Sequence, residues 1–166
     1  MKLSQKEFIN EIRYLAIQAE RLWYIPAELI IAVAIHETGY GTSENARINR
    51  NLFGITAKSK LDQVEMRDTT EFEDGAFEDR RRAFRSYRTR ADSITDFCYR
   101  ISHHYLYAPA YAALKIYMQD RDNKNLHCAI RMINMNDKGT LWATDPKWYV
   151  KVIDHIEKNE LNLVRK

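Results

Sequence analysis

Residues 26–36 are almost entirely apolar and lead directly into a single carboxylate, Glu37. The run is much shorter than the roughly 20 apolar residues that span a membrane, so it predicts a helix buried in a protein core. Pro26 suits the first turn of this helix, and Gly39 suits its C-cap. Burial and the negative end of the helix dipole both disfavour a charged carboxylate, so we expect the pKa of Glu37 to be raised. A carboxyl group that stays protonated near neutral pH can act as a general acid, although a helix-end glutamate can also simply reach solvent.

The composition predicts a single globular domain over residues 1–166. Hydrophobic residues make up 45% of the chain and charged residues 30%, which is typical of globular proteins. No apolar run is long enough for a membrane helix, so we expect no membrane insertion. The N-terminus has no apolar stretch like that of a signal peptide, so we expect synthesis in the cytoplasm.

The sequence gives no indication of a metal site or a disulfide framework. Cys98 and Cys128 are its only cysteines, and we expect two reduced, packed thiols. His36 and Glu37 begin a pattern found on zinc-protease helices, but Tyr40 occupies the position that the second histidine would need.

Six arginines fall within one short stretch, although the formal net charge is only +3. They are Arg80, Arg81, Arg82, Arg85, Arg88 and Arg90. Such a stretch is usually a solvated surface, and it would also attract an anionic cell wall or a nucleic acid. Since no nucleic-acid motif accompanies it, we expect no nucleic-acid partner.

Apolar periodicity predicts a mainly helical chain with one β-hairpin. Helices are predicted over about 4–23, 26–38, 90–107, 109–118, 123–135 and 146–158. Capping-box patterns begin the first and third of these, Ser4 with Glu7 and Thr89 with Asp92. Asp145 is a good N-cap for the last helix, with Pro146 at its first position. Residues 39–62 are predicted to form a long loop. Alternation from Val64 and the turn signal at Asp74-Gly75 predict a hairpin with a return strand over 77–87. A cleft between the helices and the hairpin would be a natural ligand site.

A second carboxylate, Glu71, lies on the polar side of the first predicted hairpin strand. Paired carboxylates that flank a glycosidic bond are the usual equipment for hydrolysing sugars. Sequence spacing alone does not show whether Glu37 and Glu71 face each other.

Five motifs follow one another within residues 26–156. They are Glu37-Thr38-Gly39-Tyr40-Gly41, Asn51-Leu52-Phe53-Gly54-Ile55, Thr70-Glu71-Phe72-Glu73-Asp74-Gly75, Phe84-Arg85-Ser86-Tyr87 and Trp142-Ala143-Thr144-Asp145-Pro146. With these five motifs in this order, the chain resembles the glucosaminidase family, glycoside hydrolase family 73. It departs from the family pattern at Tyr40, where a tryptophan is usual, and at Trp142, where a tyrosine is usual.

The resemblance implies an α+β, mainly α-helical, lysozyme-like fold with a small β-hairpin lobe beside a cleft. It implies hydrolysis of bacterial peptidoglycan glycan strands by an endo-β-N-acetylglucosaminidase, with no metal or other cofactor. Glu37 matches the general acid of the family. Glu71 matches its second acid, a base or a transition-state stabiliser, with Glu73 and Asp74 as alternatives. Inversion and a substrate-assisted route both remain open.

The resemblance also implies a substrate-binding region formed by Tyr40, Asn51, Phe53, Trp142 and Trp148. Within it, we expect Asn51 to hold its loop through side-chain hydrogen bonds and Phe53 to pack beneath the acid. Tyr40 and Trp142 keep flat aromatic faces for stacking on sugars. An indole N–H donates a hydrogen bond but does not accept one as a tyrosine hydroxyl does, so Trp142 cannot replace a catalytic hydroxyl.

Two other functions fit the same residues. One is a muramidase or lytic transglycosylase on the same fold, and the other is a non-catalytic module for wall binding or assembly. The missing signal peptide and wall-binding repeats favour a phage lysin or virion-associated enzyme that reaches the wall by another route. An excised domain of a longer protein would have the same sequence, and oligomeric state is left open.

Overall fold

A computed structural model describes residues 4–57, 64–73, 76–136 and 139–163, with only the backbone described for 64–73 and 76–82. In this part of the chain, seven helices surround a core and two small antiparallel sheets lie beside them. The helices are α1 (Gln5–Trp23), α2 (Ala27–Thr38), α3 (Glu44–Ile48), α4 (Arg90–His103), α5 (Ala108–Asp120), α6 (Asn123–Asn134) and α7 (Trp148–Lys158). The strands are β1 (Val64–Glu73), β2 (Ala76–Arg85), β3 (Met135–Asn136) and β4 (Gly139–Thr140), and 3₁₀ turns span Tyr105–Tyr107 and Leu161–Leu163. The predicted mainly α-helical α+β fold with a hairpin is confirmed.

Helix α2 is the buried helix of the fold, as its apolar sequence predicts. Every residue from 27 to 35 is buried, including the charged Glu28. The Tyr117 hydroxyl on α5 donates a hydrogen bond to Glu28, so this buried carboxylate has a polar partner. Helices α1 and α7 pack on α2. The last turn of α2 is therefore enclosed by other elements.

The first and fourth helices begin at the capping boxes that the sequence predicts. Ser4 and Glu7 exchange side-chain and backbone hydrogen bonds at the start of α1, and Thr89 and Asp92 do the same at α4. Each pair satisfies two backbone N–H groups that the first turn of a helix leaves without partners. These local interactions fix where both helices enter the core.

The long segment after α2 is held by the buried side chain of Asn51. Its Nδ2 donates to the carbonyl groups of Ile55 and Arg85, at 2.9 Å each, and its Oδ1 accepts from the Ile55 backbone N–H at 3.1 Å. Backbone hydrogen bonds from Arg85 to Ile55 and from Ala57 to Ala83 join this loop to the end of β2. The loop is therefore fixed to the base of the hairpin.

The hairpin that the sequence alternation predicts is present, with a return strand over Ala76–Arg85 instead of the predicted 77–87. Strand β1 pairs antiparallel with β2 over ten residue pairs, and Glu71 lies opposite Glu78. The predicted turn residues Asp74 and Gly75 lie outside the described residues.

Asp96 on α4 connects the hairpin to the helical body. Its carboxylate accepts hydrogen bonds from Arg85 at 2.8 Å, from the Tyr87 hydroxyl at 2.6 Å and from Arg100 at 3.1 Å. The same contacts form ion pairs with both arginines. One half-buried carboxylate therefore ties the end of β2 to α4.

Several predicted boundaries differ from the structure. The predicted loop 39–62 contains the short helix α3, and α4 ends at His103 rather than near Tyr107 because His104 adopts an extended backbone. Helix α7 begins at Trp148 rather than Pro146. The Asp145 side chain accepts from the Lys147 N–H at 2.8 Å, which forms a turn ahead of the helix.

The prediction of two packed thiols is right for Cys98, which is buried, and wrong for Cys128, which is exposed on α6. Both cysteines are free. The apolar positions of α6 that face the core are Leu126, Ile130 and Ile133, and Cys128 lies away from them.

Gly41 tests how tightly α1 packs beside the end of α2. It has φ +73°, and a Cβ there would lie 2.5 Å from the Phe8 ring. We expect Gly41→Ala to lower the free energy of unfolding by roughly 3 kcal/mol, measured by urea denaturation, because strain and a clash add. Gly39→Ala is the control, since its φ is also positive but its Cβ would meet only the Thr42 side chain, and it should cost about 1–2 kcal/mol. Equal losses of unfolding free energy in the two variants would mean that the Phe8 ring moves aside at little cost.

Candidate active site

The carboxyl group of Glu37 lies at the C-terminal end of α2, and one of its oxygens is bound by two tryptophans. Oε1 accepts hydrogen bonds from Nε1 of Trp148 at 2.8 Å and from Nε1 of Trp142 at 3.3 Å. Both donors are neutral indole N–H groups, which can stabilise a carboxylate but cannot accept its proton. The second oxygen, Oε2, has no hydrogen-bond partner among the described residues.

The two tryptophans reach Glu37 from different elements. Trp148 is the first residue of α7 and is buried, so its position follows from the packing of α7 on α2. Trp142 lies in the segment between β4 and α7. The buried Asn134 holds this segment, since its Oδ1 accepts from the Ala143 N–H at 2.8 Å and its Nδ2 donates to the Asp145 carbonyl at 2.9 Å.

Gly54 lies against the free oxygen of Glu37. A Cβ at this position would lie 3.2 Å from Oε2, and Gly54 has φ +63°. Glycine therefore satisfies two requirements here, a left-handed backbone and a close approach of that backbone to the carboxyl group. The loop held by Asn51 brings this backbone to the acid.

Burial raises the pKa of Glu37 to about 7. The hydrogen bonds from Trp148 and Trp142 act in the opposite direction, because they stabilise the charged form. The residue is only half-buried, so solvent still reaches part of it. The carboxyl group can therefore be protonated near neutral pH and also exchange protons with the outside, as the sequence predicts for a general acid.

Aromatic rings continue outward from the acid along the 3₁₀ turn that follows α4. The ring of Trp142 lies 6.5 Å from that of Trp148 and 6.2 Å from that of Tyr107, and Tyr107 lies 5.7 Å from His104. Trp142 and Tyr107 are half-buried, and His104 is exposed. Sequence analysis missed Tyr107 and His104, because no motif singled them out among many aromatic residues.

Asn51 and Phe53 lie beneath the site rather than at its surface. Both are buried, with about 1% of each residue exposed. The Phe53 ring stacks on that of Phe97, with centroids 4.3 Å apart and planes 12° apart. The Asn51 side chain holds the loop, as expected from the sequence. Phe53 packs on Phe97, whose ring meets that of Trp142 edge-on at 5.2 Å.

Tyr40 contacts the far end of α7 instead of Glu37. Its hydroxyl donates to Asn159 at 3.2 Å, and its ring meets the His155 ring edge-on at 6.2 Å. Its backbone is left-handed, with φ +60°. The described contacts of Tyr40 therefore join α2 to α7, and the structure does not bring it together with Trp142 and Trp148.

His36 points to the same side as α7 and not toward the carboxyl group beside it in the chain. Its ring lies 5.7 Å from that of His155 and 6.2 Å from that of Trp148. Burial, and after it His155 and Lys151, lower the pKa of His36 to about 4. The residue is therefore neutral at physiological pH and packs behind the site.

The backbone of Glu71 is placed in β1, but its side chain lies outside the described part of the structure. The same holds for Glu73, and Asp74 is outside it altogether. Among the described residues, no group of three or more His, Cys, Asp or Glu side chains is arranged to hold a metal ion. Within that same part of the chain, the search for a helix of sufficient length and apolarity to cross a membrane finds none.

A helical body with a hairpin and a buried acid at a helix end is the architecture of lysozyme-like glycosidases, and comparisons with known proteins agree. The chain belongs to the glucosaminidase family. The family model, described as mannosyl-glycoprotein endo-β-N-acetylglucosaminidase, matches residues 13–161. The family resemblance of the sequence motifs is thus confirmed.

The chain is similar to three proteins of known type. The peptidoglycan hydrolase FlgJ of Pseudomonas aeruginosa is 34% identical over 102 residues, which span 58% of this chain and 26% of FlgJ. A crystal structure of a peptidoglycan hydrolase mutant from Sphingomonas sp. A1 is 25% identical, has a TM-score of 0.73, and matches over 97% of each chain. The catalytic domain of the autolysin Auto from Listeria monocytogenes is 20% identical, with a TM-score of 0.75 over 99% of this chain and 90% of that domain, and shows the same fold.

The raised pKa of Glu37 predicts that this side chain destabilises the folded protein when it is charged. Its pKa rises from 4.5 to about 7, so the destabilisation is absent below pH 4.5, grows between the two values and is complete above pH 7. The unfolding free energy of Glu37→Gln minus that of the native chain should therefore rise by up to roughly 3 kcal/mol from pH 4 to pH 8. Urea denaturation at both pH values measures this gain.

Glu157→Gln is the control for removing one carboxylate, because Glu157 is exposed on α7. A gain for Glu37→Gln that is the same at pH 4 and pH 8, or no larger than that of the control, would contradict a raised pKa at Glu37.

Proposed function

We propose that this chain hydrolyses the glycan strands of bacterial peptidoglycan as an endo-β-N-acetylglucosaminidase, with Glu37 as the general acid. The observation that carries this proposal is the environment of the Glu37 carboxyl group, which is buried, has a pKa near 7 and keeps one oxygen free. Membership of the glucosaminidase family supports the activity. The peptidoglycan hydrolases among its relatives support the substrate.

The two oxygens of Glu37 would have different tasks. Both indole N–H groups donate to Oε1, so this oxygen acts as an acceptor and the acidic proton belongs on Oε2. Oε2 lies against the Gly54 backbone and has no hydrogen-bond partner among the described residues, so we propose that this oxygen meets the glycosidic oxygen. As the bond between this oxygen and the anomeric carbon breaks, the oxygen takes the proton and leaves as a hydroxyl.

Glu71 is our proposed second acid. In an inverting reaction, water attacks the anomeric carbon from the opposite face and gives a proton to the Glu71 carboxylate. In a substrate-assisted reaction, the N-acetyl carbonyl oxygen attacks first, and water then opens the ring that has formed. In both routes the Glu37 carboxylate carries a negative charge after the first bond breaks. The indole donors of Trp142 and Trp148 lower the cost of that charge.

The aromatic rings suggest how a glycan strand would lie. Trp142 and Tyr107 are half-buried neighbours beside the acid, so we propose that their faces stack on sugar rings. Trp148 is buried, so we propose that it acts on the glycan only indirectly, through its hydrogen bond to Glu37. We propose that Asn51, Phe53 and Tyr40 act by positioning the loop and helices around the acid.

We further propose that the chain acts as a single catalytic domain. Release by a phage, as the route by which the chain reaches the cell wall, stays a prediction.

The first test is mass spectrometry of purified peptidoglycan after digestion and borohydride reduction. Reduced N-acetylglucosamine ends are expected from the native chain. Glu37→Gln should lower the rate by roughly 10²- to 10⁴-fold, because it removes the proton donor. Glu71→Gln should also lower the rate, whereas Glu78→Gln, opposite it in the hairpin register, is the matched control and should keep activity.

Other outcomes would identify other reactions. Reduced N-acetylmuramic acid ends would indicate a muramidase, and anhydro ends a lytic transglycosylase. Full activity in Glu71→Gln with none in Glu37→Gln would overturn the two-acid mechanism. No new ends from the native chain, with wall binding unchanged by Glu37→Gln, would indicate a non-catalytic module.

The second test is the pH dependence of kcat/KM. Activity should fall as Glu37 loses its proton near pH 7. Trp148→Phe removes the shorter of the two hydrogen bonds that favour the charged carboxylate, so the alkaline limb should move up by roughly one pH unit. Trp142→Phe should move it less, because that hydrogen bond is longer. A limb that stays fixed or moves to lower pH would contradict the proposed role of Glu37.

A further inference from the structure

A cavity of about 490 Å³ lies between α1, α3 and the beginning of α4. Neither Glu37 nor the tryptophans that bind it line this cavity. Four arginines line it, Arg47, Arg50, Arg88 and Arg90, together with one carboxylate, Glu11. A solvated basic surface was the ordinary expectation for the arginine-rich stretch. Instead, Arg88 and Arg90 of that stretch lie with Arg47 and Arg50 around a concave site.

The described residues neutralise only part of the positive charge of the cavity. Arg90 is paired with Glu11. Among the described residues, Arg50 contacts only the Tyr87 carbonyl, at 3.5 Å. The side chains of Arg47 and Arg88 are exposed and have no hydrogen-bond or ion-pair partner among the described residues. Three guanidinium groups therefore remain for an external anion.

The wall of the cavity is small and apolar where it is not basic. Ala46 is buried and Leu15 is half-buried, and no aromatic ring lines the cavity in the described part of the chain. Arg50 has φ +55°, a left-handed backbone that is uncommon for an arginine. This conformation directly precedes Asn51, whose side chain holds the loop leading to Gly54.

We propose that this cavity binds the phosphodiester groups of an anionic cell-wall polymer, a chain of polyol phosphates. Guanidinium groups present paired N–H donors that match phosphate oxygens, and they stay charged at every relevant pH. Three unneutralised arginines in one cavity favour a polymer with a charge on every unit over the separated carboxylates of peptide stems. The choice of a wall polymer rests on the proposed function, but the anion site itself does not.

A nucleic acid fits the cavity less well. Proteins that bind single strands combine positive charge with aromatic side chains on which the bases stack. The described lining has arginines but no such ring. A polyol phosphate has no base to accommodate, so it needs only the charge and the small apolar wall.

The test is fluorescence anisotropy with a labelled poly(glycerol phosphate) oligomer, measured on the full native chain. This polymer has no glycosidic bond for Glu37 to cleave. We expect saturable binding that weakens by roughly tenfold or more from 50 to 200 mM salt, as for about three released counterions. The double variant Arg47→Gln/Arg88→Gln should weaken binding at least tenfold. Both side chains are exposed and without partners, so folding should persist, and circular dichroism checks this.

The matched control is Arg131→Gln on α6, which is exposed and outside the cavity. It should change affinity less than twofold. Two competitors of equal charge, single-stranded DNA and polyglutamate, show which class of anion the cavity prefers. Equal losses in the control and double variants would mean diffuse attraction and overturn the site. Equal or tighter binding of DNA or polyglutamate would overturn the assignment to a polyol phosphate.

The two proposals fail separately. Reducing ends from peptidoglycan with no polymer binding would overturn the anion site alone. Polymer binding that needs Arg47 and Arg88, with no glycan cleavage by the native chain, would overturn the hydrolase and leave the site in place.

Discussion

Two indole N–H groups on one oxygen of Glu37 are the interaction on which this structure depends. They join the end of α2 to the start of α7 and to the segment before it, so three parts of the chain meet at one atom. The same contact sets a balance in the chemistry. Burial favours a protonated carboxyl group, and the two donors keep the charged form within reach. An acid that must give up its proton and later regain it needs both influences.

Two buried asparagines bring the remaining parts of the site to this atom. Asn51 holds the loop that carries Gly54, and Asn134 holds the segment that carries Trp142. Each uses its amide to donate to a backbone carbonyl and to accept from a backbone N–H. A side chain with both a donor and an acceptor can satisfy a bent, buried backbone in this way, where an apolar residue would leave polar groups unpaired. Both segments beside the acid are thus anchored by a buried side chain.

The sequence predicts the parts of this fold that depend on periodicity and local hydrogen bonds. The buried α2, the capping boxes at Ser4 and Thr89 and the raised pKa of Glu37 all follow from residue type and spacing. The family resemblance also selects Trp142 and Trp148, but as substrate-binding residues, because residue type does not tell that their indole N–H groups reach Glu37. Asn134 carries no signal, since its partners are backbone groups 9 and 11 residues away. The start of α7 was misplaced because Asp145 bonds ahead of the helix instead of capping it.

The different burial of the two cysteines has a practical consequence. Burial raises the pKa of the Cys98 thiol well above its ordinary value, so this residue resists alkylation while the protein is folded. Cys128 is exposed on α6, which packs against α7. The native sequence therefore offers a single labelling position close to the helix that carries Trp148. A fluorophore attached there could report the docking of α7 without any engineered cysteine.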